Sequence, residues 1–212
     1  MDHNADLARR APTLLFDRLV FFSDAVFAIS ITLLVLDLKL PAGLNTADAL
    51  AQMGPKFEGV GIGYCVVGIY WLAHHRLFGT VDREDPLLRF TNLLFLAGVI
   101  FLPFPASVIA ERQLDTASAV FYAASAGSVG VLFVLLALVA RRHTLLVPGS
   151  GRRLTLSIIA RSVAAPLIFF LSIPLAFSQP QWAVRSWILI WPMTVLFRLM
   201  AGWAIKAFDA FS

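Results

Sequence analysis

Apolar residues gather along the chain in six long runs, at about 15–38, 56–77, 87–110, 117–140, 154–177 and 183–207, with short polar gaps between them. Each run is close to the roughly 20 residues a helix needs to cross hydrocarbon. The pattern predicts an all-α, polytopic membrane protein with six transmembrane helices, forming a single domain over residues 1–212. Pro166, Pro174 and Pro192 interrupt the last two runs, and Pro103 and Pro105 in "FLPFP" should bend the third helix near its outer end. Such prolines are tolerated where neighbouring helices or water satisfy the freed carbonyls. The first run is too long for a signal-peptide core and lacks a small-residue cleavage site, so it is expected to persist as a helix. The gaps, among them "VDREDP", "RRHTLLVPGSGRR" and "PAGLNTADALAQMGPK", are too short for a soluble domain. No internal repeat of the kind that builds two-halved transporters is visible.

Composition agrees with the pattern. Of 212 residues, 59% are hydrophobic and 14% charged, whereas a soluble domain carries about a quarter charged residues. The net charge of +4 comes from Lys and Arg in the polar gaps, where they set topology; nothing in their placement suggests nucleic acid. Arg9, Arg10, Arg18, Arg76, Arg83, Arg89, Arg141, Arg142, Arg152, Arg153 and Lys206 fall on one side, and only Lys39, Lys56, Arg112 and Arg185 on the other. The richer side is the cytoplasmic one. Both termini are therefore expected in the cytoplasm, with the chain in the cell membrane. Cys65 is the only cysteine, so no disulfide forms within the chain.

One helix asks for a special explanation. "RLVFFSDAVFAISITLLVLDLKLP", Arg18 to Pro41, carries Asp24 at membrane depth. An unpartnered carboxylate there costs about 3 kcal/mol or more, so Asp24 should point into protein. At 100° per residue it shares a face with Ala28, Ile31 and Val35. Ile29, Thr32, Leu33 and Leu36 form a second stripe about 140° away, and Arg18, Phe22 and Ala25 extend that stripe towards the cytoplasm. Donors for the acid are available at matching depth: Trp71 and His74 in "YWLAHHRLF", and Asn92 in "FTNLLFLAG". A buried polar cluster of Ser23, Asp24, Trp71, His74 and Asn92 is expected, holding helices in register rather than doing chemistry.

Plainer readings stay open. Trp71 can be an interfacial aromatic. The Ile29–Leu36 stripe can face lipid or pack on another helix, and Thr32 can simply bond back to its own helix. His74 and His75 are adjacent and point about 100° apart, which disfavours a shared metal. Ser23 and Asp24 are sequence neighbours and do not face one another. With no nucleophile–base pair, metal-ligand spacing or phosphate loop, the chain is not read as an enzyme, and no cofactor is expected.

The Arg18–Pro41 stretch resembles the signature of the transmembrane protein 175 family, potassium channels of lysosomes and their bacterial relatives. That signature reads here as Arg18, Phe22-Ser23-Asp24, Ala28-Ile29 and Thr32-Leu33. "WLAHHRLF" and "NLLFLAGVIFLPFP" resemble further family features, in order, over the first half of the chain. The resemblance implies a potassium-selective channel of the bacterial, single-repeat type, assembled with itself as a homotetramer in the lipid bilayer. It also implies a pore lined by the first helix, with Ile29, Leu33 and Leu36 as hydrophobic constrictions and Thr32 as a polar ring. The T-V-G-Y-G loop of ordinary potassium channels is absent. The only metal this implies is a permeating potassium ion at Thr32.

Arg18 then belongs to the polar network, bridging to a carboxylate of a neighbouring subunit, because a ring of unpaired arginines would oppose cations. Asp37 either draws cations to the outer mouth or pairs with Lys39. Two other classes remain: a proton-coupled secondary transporter using Asp24 and His74, and a structural membrane subunit that passes no current.

Overall fold

The computed structural model describes the backbone of residues 3–36, 38–83, 85–111, 114–142, 145 and 152–209, and the side chains of all of these except 3–13, 142, 152–156 and 201–209. Helices dominate: α1 (His3–Leu36), α2 (Thr46–Ala51), α3 (Gly54–Phe78), α4 (Pro86–Phe101), α5 (Pro103–Glu111), α6 (Thr116–Arg142), α7 (Arg152–Ser162), α8 (Ala164–Ser178), α9 (Pro180–Ser186) and α10 (Ile190–Asp209). Their starts follow local chemistry. The Asn45 side chain accepts from the Asp48 N–H and caps α2, and the Asp85 carboxylate accepts from the Leu88 N–H and caps α4. Pro86, with no N–H to lose, occupies the first turn of α4.

Prolines divide the longer runs. The expected third span, 87–110, is α4 followed by α5, broken between Phe101 and Pro103, because Pro103 has no N–H to continue the ladder. The expected fifth span, 154–177, is α7 and α8, broken at Val163 just ahead of Pro166. The expected sixth span, 183–207, begins earlier, at Pro180, and passes through a 3₁₀ turn over Trp187–Leu189 before α10. Pro174 is accommodated inside α8. Within the outer gap, α2 is an element that hydrophobic periodicity did not announce; Asn45 and its cap are the local cause.

Five helical segments among the described residues are long and apolar enough to cross a membrane: 14–36, 86–111, 116–141, 157–178 and 180–200. The chain is a polytopic membrane protein. The remaining expected span lies in α3, whose 25 residues are long enough. Its glycines, tyrosines, His74, His75 and Arg76 dilute the apolar content.

Contacts give the directions of travel. Leu34 meets Gly63 while Phe16 stacks on Phe78, so α1 and α3 run antiparallel. Ser23 meets Asn92 and Phe27 meets Phe95, so α1 and α4 run parallel. A further antiparallel pair is α3 with α5, and here the backbones nearly touch. A Cβ added to Gly59 would lie 2.7 Å from the Ala110 Cβ, and one at Gly63 would lie 2.6 Å from a Leu34 methyl. Small residues are what allow helices to approach so closely in a membrane. The second half packs around α6, which contacts α4, α7 and α8, while α10 packs on α7 and α8.

Candidate functional site

The α1 helix has two unlike faces. Leu19, Ser23, Val26, Phe27, Ser30 and Leu34 are buried, a three- and four-residue spacing that puts them on the side packed against α3, α4 and α5. About 120° around the helix from them runs an uncovered strip, and Phe21, Ala28 and Val35, directly opposite the buried set, are exposed as well. Ile29 is 55% exposed, Leu33 36% and Leu36 68%, and Thr32 is exposed between them. Arg18, Phe22 and Ala25 continue the strip along the first part of the helix. The Thr32 Oγ1 donates to the Ile29 carbonyl at 2.8 Å. Its proton is thus turned into the helix, leaving the oxygen lone pairs directed outward.

On the buried face, polar groups form a directed chain. Ser23 Oγ donates to the Leu19 carbonyl at 2.8 Å, so it must accept from Asn92 Nδ2, at 2.9 Å. The Asn92 Oδ1 consequently faces His74 Nε2, at 2.9 Å, and the imidazole carries its proton on Nε2. A backbone carbonyl, which can only accept, fixes the orientation of every group behind it. Ser23, His74 and Asn92 are all buried. His74 is further held by rings: it stacks on Phe78 at 4.1 Å and on Phe95 at 5.8 Å, and Phe27 lies 5.6 Å away.

Asp24 belongs to a separate link. Trp71 Nε1 donates to Asp24 Oδ1 at 3.0 Å, and both residues keep some solvent exposure, Trp71 being 37% exposed. One buried cluster was expected from the sequence; the structure holds two links that both clamp α1, one through Ser23–Asn92–His74 and the other through Asp24–Trp71. The reason is angular: Ser23 and Asp24 are 100° apart on the helix, so one turns to α4 and the other to α3. Arg18 joins neither link and forms no ion pair among the described residues. Asp37 lies outside the described residues, and the Lys39 carbonyl accepts from Lys56 Nζ at 3.1 Å. The aromatic surround of His74, made by Phe27, Phe78 and Phe95, was missed in the sequence. The spacing of Phe27 four residues after Ser23, and of Phe78 four after His74, was the available signal.

Comparison with known proteins decides what kind of helix bundle this is. Residues 18–103 match the family model described as the endosomal/lysosomal potassium channel TMEM175. A potassium channel of Streptomyces collinus is 39% identical over 112 residues, covering 49% of this chain and 54% of that protein. A crystal structure of a lysosomal potassium-selective channel TMEM175 homolog from Chamaesiphon minutus superposes with a TM-score of 0.72 at 26% identity, covering 88% of this chain and 97% of that one. Over residues 18–103 the chain resembles the TMEM175 family, and most of its fold resembles that bacterial homolog. A potassium channel of Chamaesiphon minutus adds a match at 33% identity over 130 residues, 59% of this chain and 62% of that protein. The sequence matches thus span a little over half the length of these curated relatives. The segment shared with the family model contains α1 from Arg18 onward, α2, α3 and α4 with both polar links, and ends at Pro103.

Proposed function

We propose that this chain is the subunit of a potassium-selective cation channel, a single six-helix transmembrane domain that works as a homotetramer in the cell membrane with both termini in the cytoplasm. The observation that carries the reading is the contrast across α1. Its rear is clamped by Ser23–Asn92–His74 and Asp24–Trp71, while its front, from Ile29 to Leu36, is left uncovered by its own subunit. Copies arranged around a closed axis would turn those fronts towards one another. The potassium channel names of the bacterial relatives support the choice of ion.

In that arrangement Ile29, Leu33 and Leu36 form apolar rings over about 10 Å of axis, narrow enough to gate by excluding water. The Thr32 oxygen, with its proton committed to the Ile29 carbonyl, presents lone pairs to a dehydrating ion. Such a ring favours potassium over sodium modestly, because sodium gives up more on dehydration than a single hydroxyl ring returns. Arg18, which forms no ion pair among the described residues, would bridge to a carboxylate of the next subunit.

Purified protein in liposomes, measured under bi-ionic potassium and sodium gradients, tests this directly. A reversal potential favouring potassium, shifted by Thr32→Ala, and a leak raised by Ile29→Asn are expected. Absence of current, or a Thr32→Ala variant with an unshifted reversal potential, would remove the strip from the conduction path. The transporter reading draws little support, because His74 bonds to Asn92 while Asp24 bonds to Trp71.

A further inference from the structure

On the side of α3 away from the Asp24–Trp71 link, a cavity of about 220 Å³ lies among α3, α6, α7, α8 and α10. Most of its wall is apolar, formed by residues such as Ile69, Leu72, Phe133, Ile158 and Val195. Arg76 and Arg161 also line it, and among the described residues no Asp or Glu does. Arg76 from α3 and Arg161 from α7 thus meet at one cavity wall. Among the described residues neither forms an ion pair. Arg161 lies within the apolar 157–178 stretch, where an uncompensated charge is expensive. The hydroxyls at the site offer no neutralisation: Ser162 donates to the Ile158 carbonyl and Thr194 to the Trp191 carbonyl.

A ligand complementary to this wall is anionic at one end and apolar along the rest. Guanidinium groups suit a phosphate, which they hold with paired N–H donors. Basic pockets between transmembrane helices, with hydrocarbon walls, are the recognised setting for anionic headgroups. A small free anion would neutralise the arginines and leave the apolar wall uncovered.

We propose that this cavity binds an anionic phospholipid, with its phosphate held by Arg76 and Arg161 and part of an acyl chain lying along Ile69, Leu72 and Val195. The site stands apart from the Ile29–Leu36 strip, so its failure leaves the permeation reading untouched.

Phosphatidylglycerol, phosphatidylcholine and inorganic phosphate, offered in turn to the purified full chain, test the site by native mass spectrometry. Retention of phosphatidylglycerol above phosphatidylcholine is expected, falling about fivefold for each of Arg76→Gln and Arg161→Gln. Thr194→Trp keeps the arginines but narrows the cavity, and should lower retention too, which covers the case of an arginine variant that does not fold. Arg185→Gln serves as the charge control, since that guanidinium sits over the Trp182 ring at 5.1 Å, away from the cavity. It should leave retention unchanged. Equal retention of the two lipids, or retention indifferent to the cavity variants, overturns the proposal. So does an equal fall with Arg185→Gln, phosphate alone binding as well as the lipid, or an assembled structure with a neighbouring subunit filling the cavity.

Discussion

The two halves of the bundle use one device for different ends. In the first half Asn92 donates to Ser23, which donates to the Leu19 carbonyl of its own helix. In the second half Trp187 Nε1 donates to Ser172 at 2.9 Å, which donates to the Phe169 carbonyl at 2.7 Å. Each serine satisfies its proton locally and offers its lone pair to another helix. What surrounds the device differs. The second half encloses it in neutral rings: Trp187 stacks on Tyr122 at 4.9 Å and lies 5.4 Å from Phe169. The first half extends it to His74, adds the Asp24–Trp71 link beside it, and leaves the far face of the same helix uncovered. Rings pack around both devices, Phe27, Phe78 and Phe95 about His74 and Tyr122 and Phe169 about Trp187. Directed hydrogen bonds give the first half a fixed rotation of α1, which is what a helix needs if its opposite face is to do work.

That contrast can be broken from either side. Trp187→Ala should have the largest effect on stability, about 3–5 kcal/mol from lost ring contacts, lowering the thermal midpoint while leaving ion preference unchanged in the protein that remains folded. A changed potassium-to-sodium ratio there would join the two halves functionally. Asn92→Leu removes the middle of the directed chain and leaves the buried His74 N–H without its partner, at about 1–3 kcal/mol. It should alter ion flux as well as midpoint, because α1 loses its rotational anchor. Ser23→Ala deletes one acceptor and should cost about 1 kcal/mol. Ser30→Ala is the sharpest control and the smallest effect, within about 0.5 kcal/mol. Ser30 is equally buried and bonds back to Val26 in the same way, but among the described residues accepts from no other helix. Equal losses for the two serines, by thermal melting in detergent, would show that the link to Asn92 adds nothing.

Much of this was legible in the residues. Long apolar runs announce membrane helices, and Asp24 announces a partner because its cost in hydrocarbon is high. Helical angles then separate the Ile29–Thr32–Leu36 edge from the acid. The division of the polar groups into two links was not legible, because it depends on which neighbour each side chain meets across the bundle. The break at Val163 and the 3₁₀ turn at Trp187–Leu189 were foreshadowed by Pro166 and Pro192, but their positions depend on packing against α6 and α7. The arginine pair at the cavity escaped for a similar reason: Arg76 and Arg161 come from separate helices, and sequence distance says nothing of their meeting.

The notch at Gly63 constrains how the first helix can move. The Leu34 methyls occupy the space a side chain would have filled, close against the Ala106 side of α5. That tooth keys α1 like a bolt in a keyway. Twisting the helix about its own axis would require the tooth to climb out, whereas tilting it together with α3 and α5, as one plate, would leave the fit intact.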